Sequence, residues 1–196
     1  MMRRYLLLIF VFGINTLLLA QEWELAKSKD QIDVYTKKFE NSPFKAFKAI
    51  TTIDASVDEI EKVLLNFEDF PSWVFKCYKS DIVKRINQNE FLVHQYMETP
   101  WPVTNRDMVL NYKLESKLDK SIINITCNSK AVENDDDCLR IEVAEGKWEL
   151  IRIDDNKTKI IYQFLADPNG SLPSFMVNMF VVEGPIETIN GLKKKL

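Results

Sequence analysis

Apolar residues recur with three-and-four spacing over the end of the chain, at Leu172, Phe175, Met176, Met179, Val182, Ile186, Ile189 and Leu192. That spacing predicts a long helix over residues 171–196. Ser171 is placed to cap its start, and Pro173 falls in the first turn, where a missing N–H costs nothing. Pro185, after Gly184, predicts a bend. Before the bend only Asn178 is polar between Phe175 and Val182, so this half must be covered on more than one side. Beyond it the helix is one-sided, and Lys193 to Lys195 suit the C-terminal end of its dipole.

The earlier part of the chain alternates with the period of strands. Residues 23–27 and 32–39 predict two strands about a turn at 28–30, and 44–53 a third. Ser56 followed by Glu59 has the form of a capping box. Val57, Ile60, Val63, Leu64 and Phe67 behind it make a helical stripe ending near 66–69, since Pro71 disfavours helical backbone at Phe70. After it come predicted strands at 81–86, 91–98, 107–114, 122–127, 139–144, 147–153 and 158–166, with turns at 87–89, 145–146 and 154–157. Phe91, Val93 and Met97 share one side of their strand, as do Met108, Leu110, Tyr112 and Leu114, and Arg106 has the parity of that second set.

Strand after strand followed by one mostly apolar helix predicts an α+β fold, a curved antiparallel sheet wrapped around the C-terminal helix. A sheet curved around a helix leaves space that its own side chains do not fill, and apolar walls with few polar groups make a ligand cavity. Candidate lining residues are Trp73 and Phe75 after the first helix, which serve equally as a core plug, with Gln95 and Met97 on one strand and Trp101 in the loop after it. Arg106, Met108, Leu110 and Tyr112 are the candidates on the next strand, and Phe175, Met176, Met179 and Phe180 on the helix. Gln95, Arg106 and Tyr112 would orient a polar head, and the methionines would adapt to an irregular ligand.

Charge and composition narrow the function. With 26 basic and 29 acidic residues the net charge is −3, which argues against a nucleic-acid partner. Residues 1–20 carry Arg3 and Arg4, an apolar run and no acid. They read as a secretory signal peptide cut after Ala20, a retained anchor being the alternative, and leave 21–196 as one domain. The apolar core is shorter than the roughly 20 residues of a membrane span. Export, to the periplasm or beyond the cell, is therefore expected. Cys77, Cys127 and Cys138 are an odd number without metal-ligand spacing. Pairing of the apolar faces would set Cys127 opposite Leu139 and turn Cys138 to the other face, so free thiols are expected. No metal or cofactor is expected. The single histidine, His94, lies on the more polar side of its strand and is expected to be solvated, without a nucleophile or orienting partner.

The loop TPWPVTNRD, Thr99 to Asp107, carries the most specific signal. Pro100 and Pro102 force extended backbone around Trp101. Arg106 and Asp107 are then held where the next strand starts, with Arg106 expected either to pair with a carboxylate or to touch a ligand. PWPVTNRDMVL resembles the signature of the START family, the steroidogenic-acute-regulatory-protein-related lipid-transfer domains. DPNGSLPSFMVNMFVVEGPIETINGL, Asp167 to Leu192, resembles the same family's last turn and helix, and GKWELI and the opening WELAKSKDQIDVYTKKFENSPFKAFKAI are similar to it as well. The resemblance spans the chain after residue 20 in order. It implies the helix-grip fold and a tunnel that takes one lipid or other hydrophobic small molecule, with transient membrane contact. Trp101, Arg106 and Asp107 fall on the motif, and Pro173, Asn178, Gly184 and Pro185 on the helix. Where the sterol-transporting branch has a further cavity arginine this chain has Tyr112, which leaves the class of apolar ligand open. Non-catalytic binding and transfer is the leading expectation; a cyclase- or hydrolase-like enzyme, since such cavities also host catalysis, is the alternative.

Overall fold

The computed structural model describes residues 22–38, 45–170 and 172–196. The expected signal segment and the cap at Ser171 lie outside these. One sheet of ten strands forms the frame, in the order β1-β2-β3-β10-β9-β7-β6-β5-β4, with β8 beside β6. β1 (Glu24–Lys29) and β2 (Ile32–Lys38) make a hairpin whose turn falls at Asp30 and Gln31, both with positive φ, two residues later than the polar cluster suggests. Left-handed backbone at both central positions matches the twist of the strands, so the pairing of Lys29 with Ile32 closes the loop in two residues.

β3 (Lys45–Ile53) leads into α1 (Val57–Leu64). Both halves of the capping box form: the Glu59 N–H donates to Ser56 Oγ at 3.3 Å, and the Ser56 N–H to Glu59 Oε2 at 2.9 Å. The helix stops at Leu64, and a short 3₁₀ turn, Phe67–Ser72, takes in Pro71. β4 (Cys77–Asn87) starts earlier than its alternation suggests and is irregular at three places along its edge. β5 (Glu90–Met97), β6 (Asn105–Lys117) and β7 (Lys120–Cys127) continue the meander.

The expected strand at 139–144 and the turn at 145–146 are corrected. β8 is only Cys138–Arg140 and runs parallel to β6, while β9 (Val143–Asp154) passes straight through Glu145 and Gly146. Gly146 pairs with Phe164 of β10 (Lys157–Asp167), and a Cβ there would collide with the Phe164 ring and the Gln163 carbonyl. The glycine is needed for close approach within a strand, not for a turn. Cys127 then lies across from Leu110 rather than Leu139, and Cys138 across from Asn105; all three thiols are free.

The C-terminal segment runs as α2 (Ser174–Asn178), a π turn (Met179–Glu183) and α3 (Gly184–Lys193). The break expected at Pro185 is taken up by that π turn. It carries the chain into α3 with proline in the first turn, where its missing N–H is harmless. Ile186, Ile189 and Leu192 are fully buried in a core shared with Ile32, Val34 and Ala49 of the sheet and with Ile60, Leu64 and Phe67.

Candidate functional site

Between helix and sheet lies a cavity of about 170 Å³. Its strand walls are the inward positions of β5 and β6, namely Gln95, Met97, Arg106, Met108, Leu110 and Tyr112, together with Phe47, Trp148, Tyr162, Phe164 and Ala166 from β3, β9 and β10. Phe70, Trp73, Val74 and Phe75 close one side. The helix contributes Val177, Phe180, Val181, Gly184, Pro185 and Thr188.

Nine expected lining residues therefore meet in the wall: Trp73, Phe75, Gln95, Met97, Arg106, Met108, Leu110, Tyr112 and Phe180. Four do not. Trp101 is 92% exposed at the tip of its loop and Phe175 is 63% exposed, whereas Met176 is fully buried and Met179 partly buried, both outside the wall. Of the stripe that periodicity picks out, the later part, Ile186, Ile189 and Leu192, is packed into the core. The cavity sees its neighbour, and Val177, Phe180, Val181, Gly184 and Thr188 repeat the three-and-four spacing one position on. Tyr162, Phe164 and Ala166 share strand parity and were legible in principle, but the misplaced turn at Gly146 hid their register.

The polar groups of the wall are few. Gln95 Nε2 donates to the Tyr112 hydroxyl at 3.0 Å. Burial pushes the phenols of Tyr112 and Tyr162 far above their usual range, so both stay neutral. Tyr162 stacks face to face on Trp148 at 3.8 Å.

Arg106 is 3% exposed and does not pair with a carboxylate among the described residues. Its guanidinium instead donates to three backbone carbonyls: Nε to Pro168 at 3.1 Å, one terminal nitrogen to Thr104, the other to Asn169 at 3.3 Å. These bonds tie the Trp101 loop to the segment that leads into α2. The loop is closed on itself as well, the Thr99 hydroxyl lying 2.8 Å from the Val103 carbonyl and Asn105 Oδ1 accepting the Thr99 N–H at 2.9 Å.

Asp107, the other half of the motif, points to the opposite face of the sheet. There Arg140 reaches its Oδ2 through Nε at 2.8 Å and a terminal nitrogen at 2.7 Å, and His94 Nε2 does so at 2.6 Å. The Tyr96 hydroxyl lies 3.3 Å from the other ring nitrogen. The expectation of a solvated His94 is corrected: it is 6% exposed, because β8 and the loop before it cover that face. Arg140 had no sequence signal. It also donates to the carbonyls of Ser129, Val132 and Glu133, and its own carbonyl accepts from Asn169 Nδ2.

A family model described as the START domain matches residues 15–196. The chain belongs to the START domain family. An uncharacterized Pseudomonas aeruginosa protein is 30% identical over 184 residues, 93% of this chain and 91% of that one. Among solved structures, a STAR-related lipid transfer protein from Xanthomonas axonopodis is 31% identical, with a TM-score of 0.80 over 88% of this chain and 97% of that one. Human StAR-related lipid transfer protein 5 has a TM-score of 0.77 at 14% identity, covering 88% and 85%. The Zhui aromatase/cyclase from Streptomyces has a TM-score of 0.56 at 14% identity, covering 76% and 92%. These last two share the START-like fold. Within the family motif, Arg106 and Asp107 serve opposite faces of one strand: the first fastens the cavity rim, the second the outer layer.

Proposed function

We propose that this START domain binds one lipid-like molecule in the cavity under its C-terminal helix and exchanges it at a membrane surface, outside the cytoplasm, without catalysing a reaction. The observation that carries the reading is the wall itself, aromatic and aliphatic from both layers and crossed by few polar groups. Burial of apolar ligand surface there gains roughly 25 cal/mol per Å². Binding therefore needs little specific hydrogen bonding. The Xanthomonas protein, a STAR-related lipid transfer protein, points the same way.

Exchange at a membrane is supported by the rim. Thr99 and Arg106 line the cavity on either side of the Trp101 loop, and Leu172 and Val177 line it on either side of Phe175. The two most exposed aromatic side chains of the described residues thus stand beside the mouth. The absence of catalysis is supported by the placement of His94 and Asp107, whose side chains lie on the far side of the sheet from the ligand space. Export rests on residues 1–20.

The test is to express the chain with its own leader, purify it without detergent and identify by mass spectrometry what organic solvent extracts. A stoichiometric apolar molecule is expected, and Val177→Trp, which fills the cavity from the helix, is expected to lose most of it while staying folded. Equal loading in a folded Val177→Trp variant would refute the placement of the ligand.

A further inference from the structure

The charged residues of the cavity wall are of one sign. Among the described residues Arg106 and Lys45 line it and no aspartate or glutamate does, in a chain whose acids outnumber its bases by 29 to 26. Arg106 is the more telling of the two. A guanidinium at 3% exposure is costly to bury unless a counter-charge accompanies it, and here only neutral carbonyls do. Burial pulls its pKa below the ordinary arginine value, the direction expected of a cation short of compensation. The carboxylates that adjoin Arg106 and its carbonyl partner Pro168 are engaged elsewhere: Asp107 faces the other side of the sheet with His94 and Arg140, and Asp167 Oδ1 accepts the Asn169 N–H at 2.9 Å. Of the five guanidinium hydrogens three are engaged by the carbonyls, leaving one on each terminal nitrogen.

Lys45 stands at the same end. The β3–β10 register, carried on from the pairing of Phe47 with Phe164, brings it level with Ala166, two residues before the carbonyl that Arg106 Nε holds. It also borders a small polar hollow with Glu22 and Glu24, yet forms no ion pair within 4.0 Å among the described residues. The other end of the wall, at Tyr112, is neutral. It lies six positions along β6 from Arg106, roughly 20 Å at the rise of a strand. The cavity is thus cationic at one end and apolar at the other. Its volume of about 170 Å³ lies below the roughly 300–1,000 Å³ of common ligand pockets, which suits one slender tail rather than two.

We infer that the ligand is a single-tailed amphiphile whose acid head, a carboxylate or a phosphate, sits between Arg106 and Lys45 while its tail runs along β6 toward Tyr112. This rests on the cavity being the binding site. An anionic head supplies the missing counter-charge, and the charge-assisted hydrogen bonds it accepts are about twice as strong as neutral ones.

Three probes that share a tail and differ in head separate the possibilities: laurate, dodecyl phosphate and dodecanol, titrated below their aggregation limits into the delipidated protein at neutral pH and low salt. At least one anion is expected to bind roughly 10-fold more tightly than dodecanol, one charge-assisted bond's worth. The stronger anion names the head. Lys45→Gln and Arg106→Gln are each expected to shrink that margin, the ratio of anion to dodecanol affinity, several-fold; Lys45→Gln keeps the test alive should Arg106→Gln fail to fold. Equal affinities for all three probes would overturn the inference and leave the apolar site standing. An anion preference untouched by a folded variant of either residue would overturn the assignment to these cations. Binding of none would overturn the function proposed above.

Discussion

Adjacent residues can do unrelated work because successive strand side chains point to opposite faces. Arg106 serves the cavity rim and Asp107 the outer layer. Parity placed Arg106 inward from sequence alone, but its partners are backbone carbonyls, and no residue pattern signals a carbonyl. Asp107's partner Arg140 lies on the short parallel strand β8, whose three residues are too few to show a period. The energetics of that pair are checkable. Asp107 is fully buried and neutralises Arg140. Removing one partner of a buried ion pair strands the other charge, at about 3–5 kcal/mol. Asp107→Ala is expected to lose that much in urea unfolding followed by far-ultraviolet circular dichroism. A loss under about 1 kcal/mol would mean the carbonyls of Ser129, Val132 and Glu133 suffice for Arg140.

Elements were legible where local chemistry and global packing agree. The capping box fixed the start of α1, and alternation located most of the meander. They were illegible where one residue type has two uses. Gly146 reads as a turn residue, but a glycine in a strand also admits a close neighbour, here Phe164. The proline of Gly184–Pro185 reads as a kink, but a π turn ahead of it makes the same residue a helix start. Gly191 shows the second use again. A Cβ there would meet the backbone carbonyl of Trp73, with the carbonyl carbon only 3.0 Å away. Two effects oppose each other in Gly191→Ala. Alanine favours a helix interior by about 1 kcal/mol, whereas overpacking against backbone costs about 1–3 kcal/mol. The rigid neighbour decides the sign. The variant is expected to be destabilised by roughly 1–2 kcal/mol in the same unfolding assay, and a more stable variant would show that α3 can shift off Trp73.

At the scale of the whole molecule the helix is held unevenly, and this bears on how a ligand passes. The end of the helical segment is fastened by Asn190 to Asp30 at 2.9 Å, Lys195 to Asp69 at 2.9 Å and the seat of Gly191 on Trp73. At the other end Phe175 of α2 is exposed beside Leu172 of the wall. The Trp101 loop is tied to the segment before α2 through the Arg106 bonds to Thr104, Pro168 and Asn169. Opening at the α3 end would uncover the core of Ile186, Ile189 and Leu192. An apolar side chain that is 92% exposed contributes nothing to loading but gains roughly 1.5–3 kcal/mol when a membrane buries it. Trp101→Ala is therefore expected to slow ligand transfer between donor and acceptor vesicles by about 10-fold, the factor that corresponds to about 1.4 kcal/mol, with equilibrium ligand affinity unchanged. Stopped-flow dequenching of a fluorescent lipid reads the rate, and titration without vesicles reads the affinity. A fall in affinity with the rate would place Trp101 in binding rather than docking, and an unchanged rate would move the mouth away from this loop.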